Sequence, residues 1–307
     1  MSDNFQLFAD AQYRTVVYNL PGFEHNPTLL LHNAYNFFNP KFGLSYHPNH
    51  WLIYASYSVA HKEPNRDDFE AGLTQQPKPE RLNDWEAGAE RKNSKTFVSA
   101  NLYYMKYKDQ LVLTGKINDV GAYTRTNIPD SYRAGIELQG SAVIIKWLKA
   151  GANLSLSRNK IKGFTEYIDV YDANFNWMGQ AAKPYKETDI SFSPEAVGAA
   201  TITITPVRKL NIDFLSKYVS KQYLDNTSNK SRMLDAYFTE DVRAVYSFNK
   251  NWLKNVDLIL QVNNVFDRQY EPNGYTFSYY YGSTLTTANY YFPMAGTNWM
   301  AGVNVRF

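Results

Sequence analysis

The feature that most constrains this chain is a two-residue alternation of apolar and polar side chains, recurring in segments of about ten residues. Thr297 to Phe307 shows it best. Trp299, Ala301, Val303, Val305 and Phe307 fall on one face, and Asn298, Met300, Gly302, Asn304 and Arg306 on the other. Successive side chains of an extended strand point to opposite sides, so the pattern gives strands with one apolar and one polar face. Ala200, Ile202 and Ile204 against Thr201, Thr203 and Thr205 repeat it, as does Ala152-Asn-Leu-Ser-Leu-Ser157. So do Ile53, Ala55, Tyr57 and Val59 against Tyr54, Ser56 and Ser58, and Leu210, Ile212 and Phe214 against Asn211, Asp213 and Leu215. Leu258, Leu260 and Val262 against Asp257, Ile259 and Gln261 make one more. Near Tyr103-Tyr104 the alternation slips by one, which reads as a bulge or the edge of an aromatic belt.

The connections between these segments alternate in length. Short ones sit near His47 to His50, Arg91 to Ser94, Lys146 to Leu148, Pro206 to Lys209 and Asn249 to Asn255. Longer polar ones lie near Leu20 to Asn33, His61 to Asn83, Thr114 to Asp130, Thr165 to Pro194, Asp225 to Asp235 and Asp267 to Gly296. Short turns at one end and long loops at the other are the signature of an outer-membrane barrel, and the spacing predicts about 12 strands. In hydrocarbon every backbone N–H and C=O needs a partner within the protein, so such a sheet closes on itself. The chain has 25 Tyr, 18 Phe and 6 Trp, which suit aromatic girdles at the two interfaces. A soluble sandwich would also alternate, but it wants tight turns at both ends.

Several other classes lose support. No apolar run reaches the roughly 18 to 20 residues that a spanning helix needs. The net charge of +3, from 32 Lys+Arg against 29 Asp+Glu, forms no basic stripe for nucleic acid. With no Cys and five scattered His, no recognisable metal-ligand spacing is present, and neither metal nor cofactor is expected. The start Met1-Ser-Asp-Asn-Phe-Gln-Leu-Phe lacks the basic and apolar regions of a secretion signal.

A family resemblance emerges from segments spread over nearly the whole length. Val262-Asn-Asn-Val-Phe-Asp-Arg-Gln-Tyr270 resembles the Asn-Leu-Phe-Asp-x-x-Tyr signature of the penultimate strand of TonB-dependent outer-membrane receptors, of the type common in Bacteroidetes-like bacteria. Pro272-Asn-Gly-Tyr275 follows it, then a long loop and a last strand ending in Phe307. Asn39-Pro-Lys-Phe-Gly-Leu-Ser-Tyr46 and Tyr54-Ala-Ser-Tyr-Ser-Val-Ala60 resemble an early hairpin of that family. His61-Lys-Glu-Pro-Asn-Arg-Asp-Asp-Phe69 takes the place of its Arg-Ala-Pro-type loop. Pro79-Glu-Arg-Leu-Asn-Asp-Trp-Glu-Ala-Gly88, Tyr103 to Leu111 and Tyr132 to Leu138 resemble further family segments.

The resemblance implies an all-β transmembrane antiparallel barrel, with residues 1–307 supplying about 12 of roughly 22 strands. The plug domain, the early strands and a signal peptide would then be missing, and Met1 reads as an internal start. It implies energy-coupled uptake of a bulky scarce nutrient across the outer membrane of a Gram-negative bacterium: a ferric siderophore, haem, cobalamin or an oligosaccharide. The partners implied are outer-membrane lipid, a TonB-type complex acting through the plug, the barrel-assembly machinery, and a small-molecule or metal-chelate ligand. Trp299, Val303, Val305 and Phe307 resemble the terminal assembly signal.

Ligand candidates come from the long loops. His61, Arg66, Asp67 and Asp68 cluster in one loop and could serve a hard ligand, although exposed charge runs are commonly only solvated. Tyr275, Phe277, Tyr279, Tyr280, Tyr281 and Tyr290 could stack on a flat ligand or form an interfacial girdle. Glu137, Gln139, Asp213, Arg243, Gln261 and Asn263 are expected to line the lumen and contact the plug. A second reading is a self-contained 12-stranded barrel acting as a phospholipase or protease, or as a passive pore. No His stands near a Ser in a recognisable nucleophile motif, so no catalytic residue is expected.

Overall fold

The computed structural model describes residues 4–23, 27, 28, 30–69, 76–117, 123–250 and 252–307; the side chains of residues 67, 114–117, 123, 124 and 250 lie outside the described set. Its strands are β1 (Phe5–Pro21), β2 (Leu30–Tyr46), β3 (Trp51–Lys62), β4 (Glu80–Lys92), β5 (Thr96–Ile117), β6 (Tyr123–Ile145), β7 (Leu148–Tyr171), β8 (Trp177–Asp189) and β9 (Ala196–Val207). They continue with β10 (Leu210–Val219), β11 (Gln222–Tyr223), β12 (Met233–Leu234), β13 (Tyr237–Lys250), β14 (Leu253–Asn263), β15 (Asn273–Tyr281), β16 (Thr284–Phe292) and β17 (Asn298–Arg306). Among the described residues one 3-10 turn, Arg66–Phe69, interrupts them. Among the described residues no helix is long and apolar enough to cross a membrane, which says nothing of crossing by strands.

Twelve strands form a continuous antiparallel wall in the order β1-β2-β3-β4-β5-β6-β7-β9-β10-β13-β14-β17, in agreement with the spacing of the turns. Within each pair the register carries like side chains onto like. Ile212, Ala244, Leu260 and Ala301 form one row across four strands. The next row on the opposite face is Lys149, Thr203, Asp213, Arg243, Gln261 and Met300. A shift of one residue would put the second set where the first belongs, so the alternation fixes the pairing.

Aromatic residues mark two levels of the apolar face. Near the short turns, Trp252 stacks on Phe307 with ring centroids 5.3 Å apart, and Trp51 and Trp147 are also exposed. Higher up, Tyr57, Trp85, Tyr104 and Tyr132 make a ladder across four strands at 5.1, 5.8 and 6.0 Å. The irregularity expected at Tyr103-Tyr104 is therefore a belt and not a bulge. Pairing runs unbroken from Arg81↔Lys108 to Lys92↔Phe97, and each face simply carries its own tyrosine.

The long connections differ from the loops expected. Residues 114–117 and 123–130 are strand, because β5 and β6 extend as a pair, and 165–194 are largely strand, because β7 pairs with β8 beyond the wall; residues 118–122 lie outside the described set. Between Asp267 and Gly296 lies a further hairpin, β15–β16. Polar sequence does not oppose strand formation once neighbouring backbone groups can pair, so hydrophilicity alone misplaced these boundaries.

Gly163, at φ 71°, separates two regimes of β7. Below it the buried positions are odd, Asn159 at 5% and Ile161 at 0% exposure; above it Ile168, an even position, is buried at 2%. A side chain rarely tolerates that backbone conformation, so glycine lets the strand turn its faces over. Ile161 packs with Val112, Ile128 and Ile190 in a small core at the long-loop end.

Candidate functional site

The polar face of the wall is a continuous hydrogen-bonded surface. Arg243 donates to Asp213 Oδ2 through Nε at 3.2 Å and Nη2 at 2.8 Å, and Thr203 donates to Asp213 Oδ1 at 2.7 Å. Gln261 donates to Asn263 at 2.6 Å, which donates to Asn298 at 2.8 Å. Glu137 and Gln139 stand on the same face of β6, beside a recess of about 410 Å³ bounded also by Tyr54, Asn101, Asn153 and Ser155. A second recess of about 390 Å³ opens next to it between Glu86, Tyr103, Arg133 and Asn159. Close packing shapes this wall: a side chain at Gly135 would meet the Leu156 carbonyl at 2.5 Å and the Tyr103 hydroxyl at 2.6 Å.

The charged loop after β3 is occupied with its own packing. His61 stacks on Phe37, centroids 5.2 Å apart, and its Nδ1 lies 2.9 Å from Asn39 Oδ1. Arg14 sits over Phe37 and grips Glu63 with two hydrogen bonds, at 3.0 and 2.6 Å, while donating to the His61 carbonyl. Burial works against the Glu63 charge, but the Arg14 hydrogen bonds, a backbone hydrogen bond and the charges of Arg14 and Lys62 together outweigh it and hold the carboxyl below its ordinary value. Arg66 lies on the Phe23 ring, and Asp68 is buried, capping Asn65 and facing Arg125 at 3.5 Å. Phe69, 2% exposed, anchors the turn against Phe23 and Leu31. The side chain of Asp67 lies outside the described residues. His61 and Arg66 are thus fasteners between this loop and the β1–β2 hairpin, and Asp68 ties the loop to β6 through Arg125.

Sequence reasoning missed the best-built cluster of the long-loop end. Arg232, 3% exposed, donates from Nη1 to Glu166 at 2.5 Å and to Asp225 at 2.7 Å. Tyr185 donates to the other Glu166 oxygen at 2.8 Å. Burial opposes the guanidinium charge, but the two carboxylates outweigh it and push the Arg232 pKa up. The Tyr185 hydroxyl is also pushed well up, by burial first and then by Glu166. Around this triad the segments 190–195 and 220–236 fold over the polar face. Ser191 and Asn226 both donate to the Leu113 carbonyl, at 3.0 and 2.6 Å. Ser193 accepts from Arg133 at 3.0 Å, and Leu224 is fully buried. The Arg232–Glu166 pair spans 66 residues, a separation at which no local motif signals it.

The aromatic candidates lie on β15–β16, which docks in parallel on the outer end of β7 through Tyr279↔Asp169, Tyr280↔Val170 and Tyr281↔Tyr171. Tyr275 and Tyr290 stack at 4.8 Å, and Phe277 lies 5.9 Å from Tyr290 and 6.4 Å from Tyr279. Tyr281 meets Phe175 at 4.7 Å and donates to the Ala173 carbonyl. These five rings share one open face; Tyr280 alternates to the other, with the buried Thr276 and Ser278. That hairpin is not a girdle continuous with the Trp85 ladder.

The motif after β14 is a clasp. Asn264 accepts from Arg268 N at 2.9 Å and donates to Arg268 O at 3.0 Å, while its backbone N–H reaches Asp241 at 2.7 Å. Asp267 accepts from Thr297 N at 2.9 Å, and Tyr270 stacks on Tyr237 at 4.3 Å. Together they pinch the base of the last long loop. Beyond it, Trp299, Val303 and Val305 fall on the exposed apolar face of β17, ending at Phe307.

The family model described as TonB dependent receptor-like, beta-barrel matches residues 3–265. No curated protein matches by sequence. Among solved structures, the siderophore receptor PiuA from Acinetobacter baumannii superposes with a TM-score of 0.71 at 18% identity, over 98% of this chain and 41% of that one. The copper transporter OprC gives 0.71 at 16%, over 98% and 45%. The ferric-catecholate import receptor Fiu from E. coli K12 gives 0.67 at 16%, over 100% and 43%. Identities this low speak to the fold, and the chain spans less than half the length of each of these structures. The match over residues 3–265 and the shared wall together establish that this chain belongs to the TonB-dependent receptor-like β-barrel family, whose barrels reside in the outer membrane of Gram-negative bacteria.

Proposed function

We propose that the chain supplies the rear wall and part of the outer mouth of a plugged receptor that imports a bulky, scarce solute across the outer membrane. The observation that carries this reading is the inward-folded cap: segments 190–195 and 220–236 are fastened over a polar wall by Arg232, Asn226 and Ser191. A cap over the inner face narrows the lumen at the long-loop end and gives a receptor a walled site above its gate. In this reading Glu137, Gln139, Asp213, Arg243, Gln261 and Asn263 line the lumen and meet the plug. Tyr275, Phe277, Tyr279, Tyr281 and Tyr290 offer ring faces to a flat ligand at the mouth. Ferric siderophores lead the cargo classes because PiuA and Fiu carry that description, with haem, cobalamin or an oligosaccharide behind them. Energy would come from a TonB-type partner acting on the plug, and insertion from the barrel-assembly machinery reading the Phe307 end.

The test is uptake of a labelled ferric catecholate by cells with and without the gene, grown iron-limited. The reading requires uptake that depends on the gene and stops when a protonophore collapses the proton gradient. Gene-dependent flux that persists without the gradient would establish a passive pore instead.

A further inference from the structure

The strand registers assemble a cationic band that no short stretch of sequence displays. Rows on the apolar face of β4–β7 rise through Ala89, Ala100, Leu138 and Leu154, then Ala87, Leu102, Ile136 and Leu156, to Trp85, Tyr104, Ala134 and Arg158. The next row up carries Lys106 and Lys160, and the one above it Arg81, Lys108 and Lys162. Six basic side chains thus crown the aromatic ladder on one sector of the wall. Their acidic neighbours are Asp130, between Lys108 and Lys162, and two residues of β8: Glu187, 3.2 Å from Arg158, and Asp189, 2.5 Å from Lys160. Arg81, Lys106, Lys108 and Lys162 are exposed and have no ion pair among the described residues.

Depth and contrast indicate what the band meets. Arg81 is ten residues along β4 from Arg91, which pairs with Trp51 at the short-turn end. At about 3.3 Å per residue and a tilt of about 40°, that is roughly 25 Å along the axis, the height of the apolar band of an outer-membrane barrel. The cations therefore stand at its outer edge, where headgroups begin. At the same level of β10 and β13 this face carries Ser216, Tyr218, Phe238 and Glu240 and no Lys or Arg. A general need for solubility would place charge all round the rim, so its presence on β4–β7 and absence at the same level of β10 and β13 point to a specific anionic partner.

We infer that the outer face of β4–β7 binds the phosphorylated headgroup of an outer-leaflet glycolipid, with Arg81, Lys106, Lys108 and Lys162 as phosphate contacts and the Trp85–Tyr104 ladder against its acyl and sugar portions. The inference rests on the outer-membrane reading above. Flexible ammonium groups in a row suit several phosphate positions, and Lys162 lying over the Tyr132 ring at 5.8 Å keeps one of them at the ladder.

The test uses the full-length receptor purified from outer membranes in mild detergent, with diphosphoryl lipid A titrated and bound lipid counted by native mass spectrometry. Replacing Lys106→Gln, Lys108→Gln and Lys162→Gln together is expected to weaken binding roughly tenfold or more. Lys→Arg at the same three positions should keep it, and fully dephosphorylated lipid A should bind the parent as weakly as the Gln variant binds the phosphorylated form. Unchanged affinity in the Gln variant, or equal affinity for the dephosphorylated lipid, overturns the inference. Displacement by millimolar inorganic phosphate also overturns it, in favour of a free-phosphate site. Should the Gln variant lose its heat-modifiable gel mobility, the dephosphorylated lipid on the parent protein decides alone. A receptor absent from the outer-membrane fraction would instead defeat the underlying reading, separately from the lipid result.

Discussion

The wall and the cap above it are continuous in the chain, yet they bury opposite things. In the wall Leu260 is 49% and Val303 62% exposed, and its cohesion comes from backbone ladders and from the polar network around Asp213. In the cap Leu224 and Leu234 are at most 2% exposed, with Arg232 buried among two carboxylates. One region depends on what surrounds it and the other on an interior of its own. Damage should therefore stay where it is made.

Arg232→Met should have the largest effect on that separation. It leaves Glu166 and Asp225 buried without their cation, a change that typically costs about 3–5 kcal/mol. Protease cutting within 220–236 should rise steeply while the barrel keeps its heat-modifiable mobility; loss of that mobility would merge cap and wall into one unit. Leu224→Ala should cost roughly 2–5 kcal/mol through a cavity. Hydrogen exchange should speed up in the 220–236 and 270–280 segments, since Leu224 lies near Gly274, and the β10–β13 pairing should be unmoved. Leu260→Lys reverses the logic, placing a charge on the apolar face at an expected cost of about 2–4 kcal/mol near mid-membrane. The folded fraction on a heat-modifiability gel should drop without new cleavage sites in the cap.

The smallest effect concerns Glu63, whose pKa lies below its ordinary 4.5 in the folded protein. A depressed carboxylate stabilises fully above 4.5 and loses that contribution as pH falls through the folded value. Glu63→Gln should therefore speed exchange in 61–69 at pH 7 and differ less from the parent as the pH drops below 4.5. A difference that grows on acidification would refute the Arg14–Glu63 clasp as its cause.

Sequence legibility follows the same boundary. Thr297 to Phe307 can be read by eye because a strand with two environments must alternate, and Trp299, Val303 and Val305 do fall together. The short turns were equally plain, so the strand count follows. Above Gly163 the rule breaks, because a backbone at positive φ turns the faces over and a polar hairpin can pair as well as an apolar one. His61 and Asp68 looked available only because their partners, Phe37, Asn39 and Arg125, lie elsewhere in the chain. Arg232 and the Arg81–Lys108–Lys162 row are invisible for a related reason: the first needs Glu166, and the second needs three registers.

The central claim is that adjacent residues of one wall face lipid and lumen, and the absence of cysteine from these 307 residues leaves the wall free for introduced labels once any cysteine elsewhere in the receptor is replaced. Single cysteines at Leu138 and Gln139, neighbours on β6, would be spin-labelled in the full-length receptor in bilayers and their collision rates with oxygen and a water-soluble nickel chelate compared. The account predicts that position 138 favours oxygen and position 139 favours the chelate. Equal access at the two positions, or the reverse order, would contradict it.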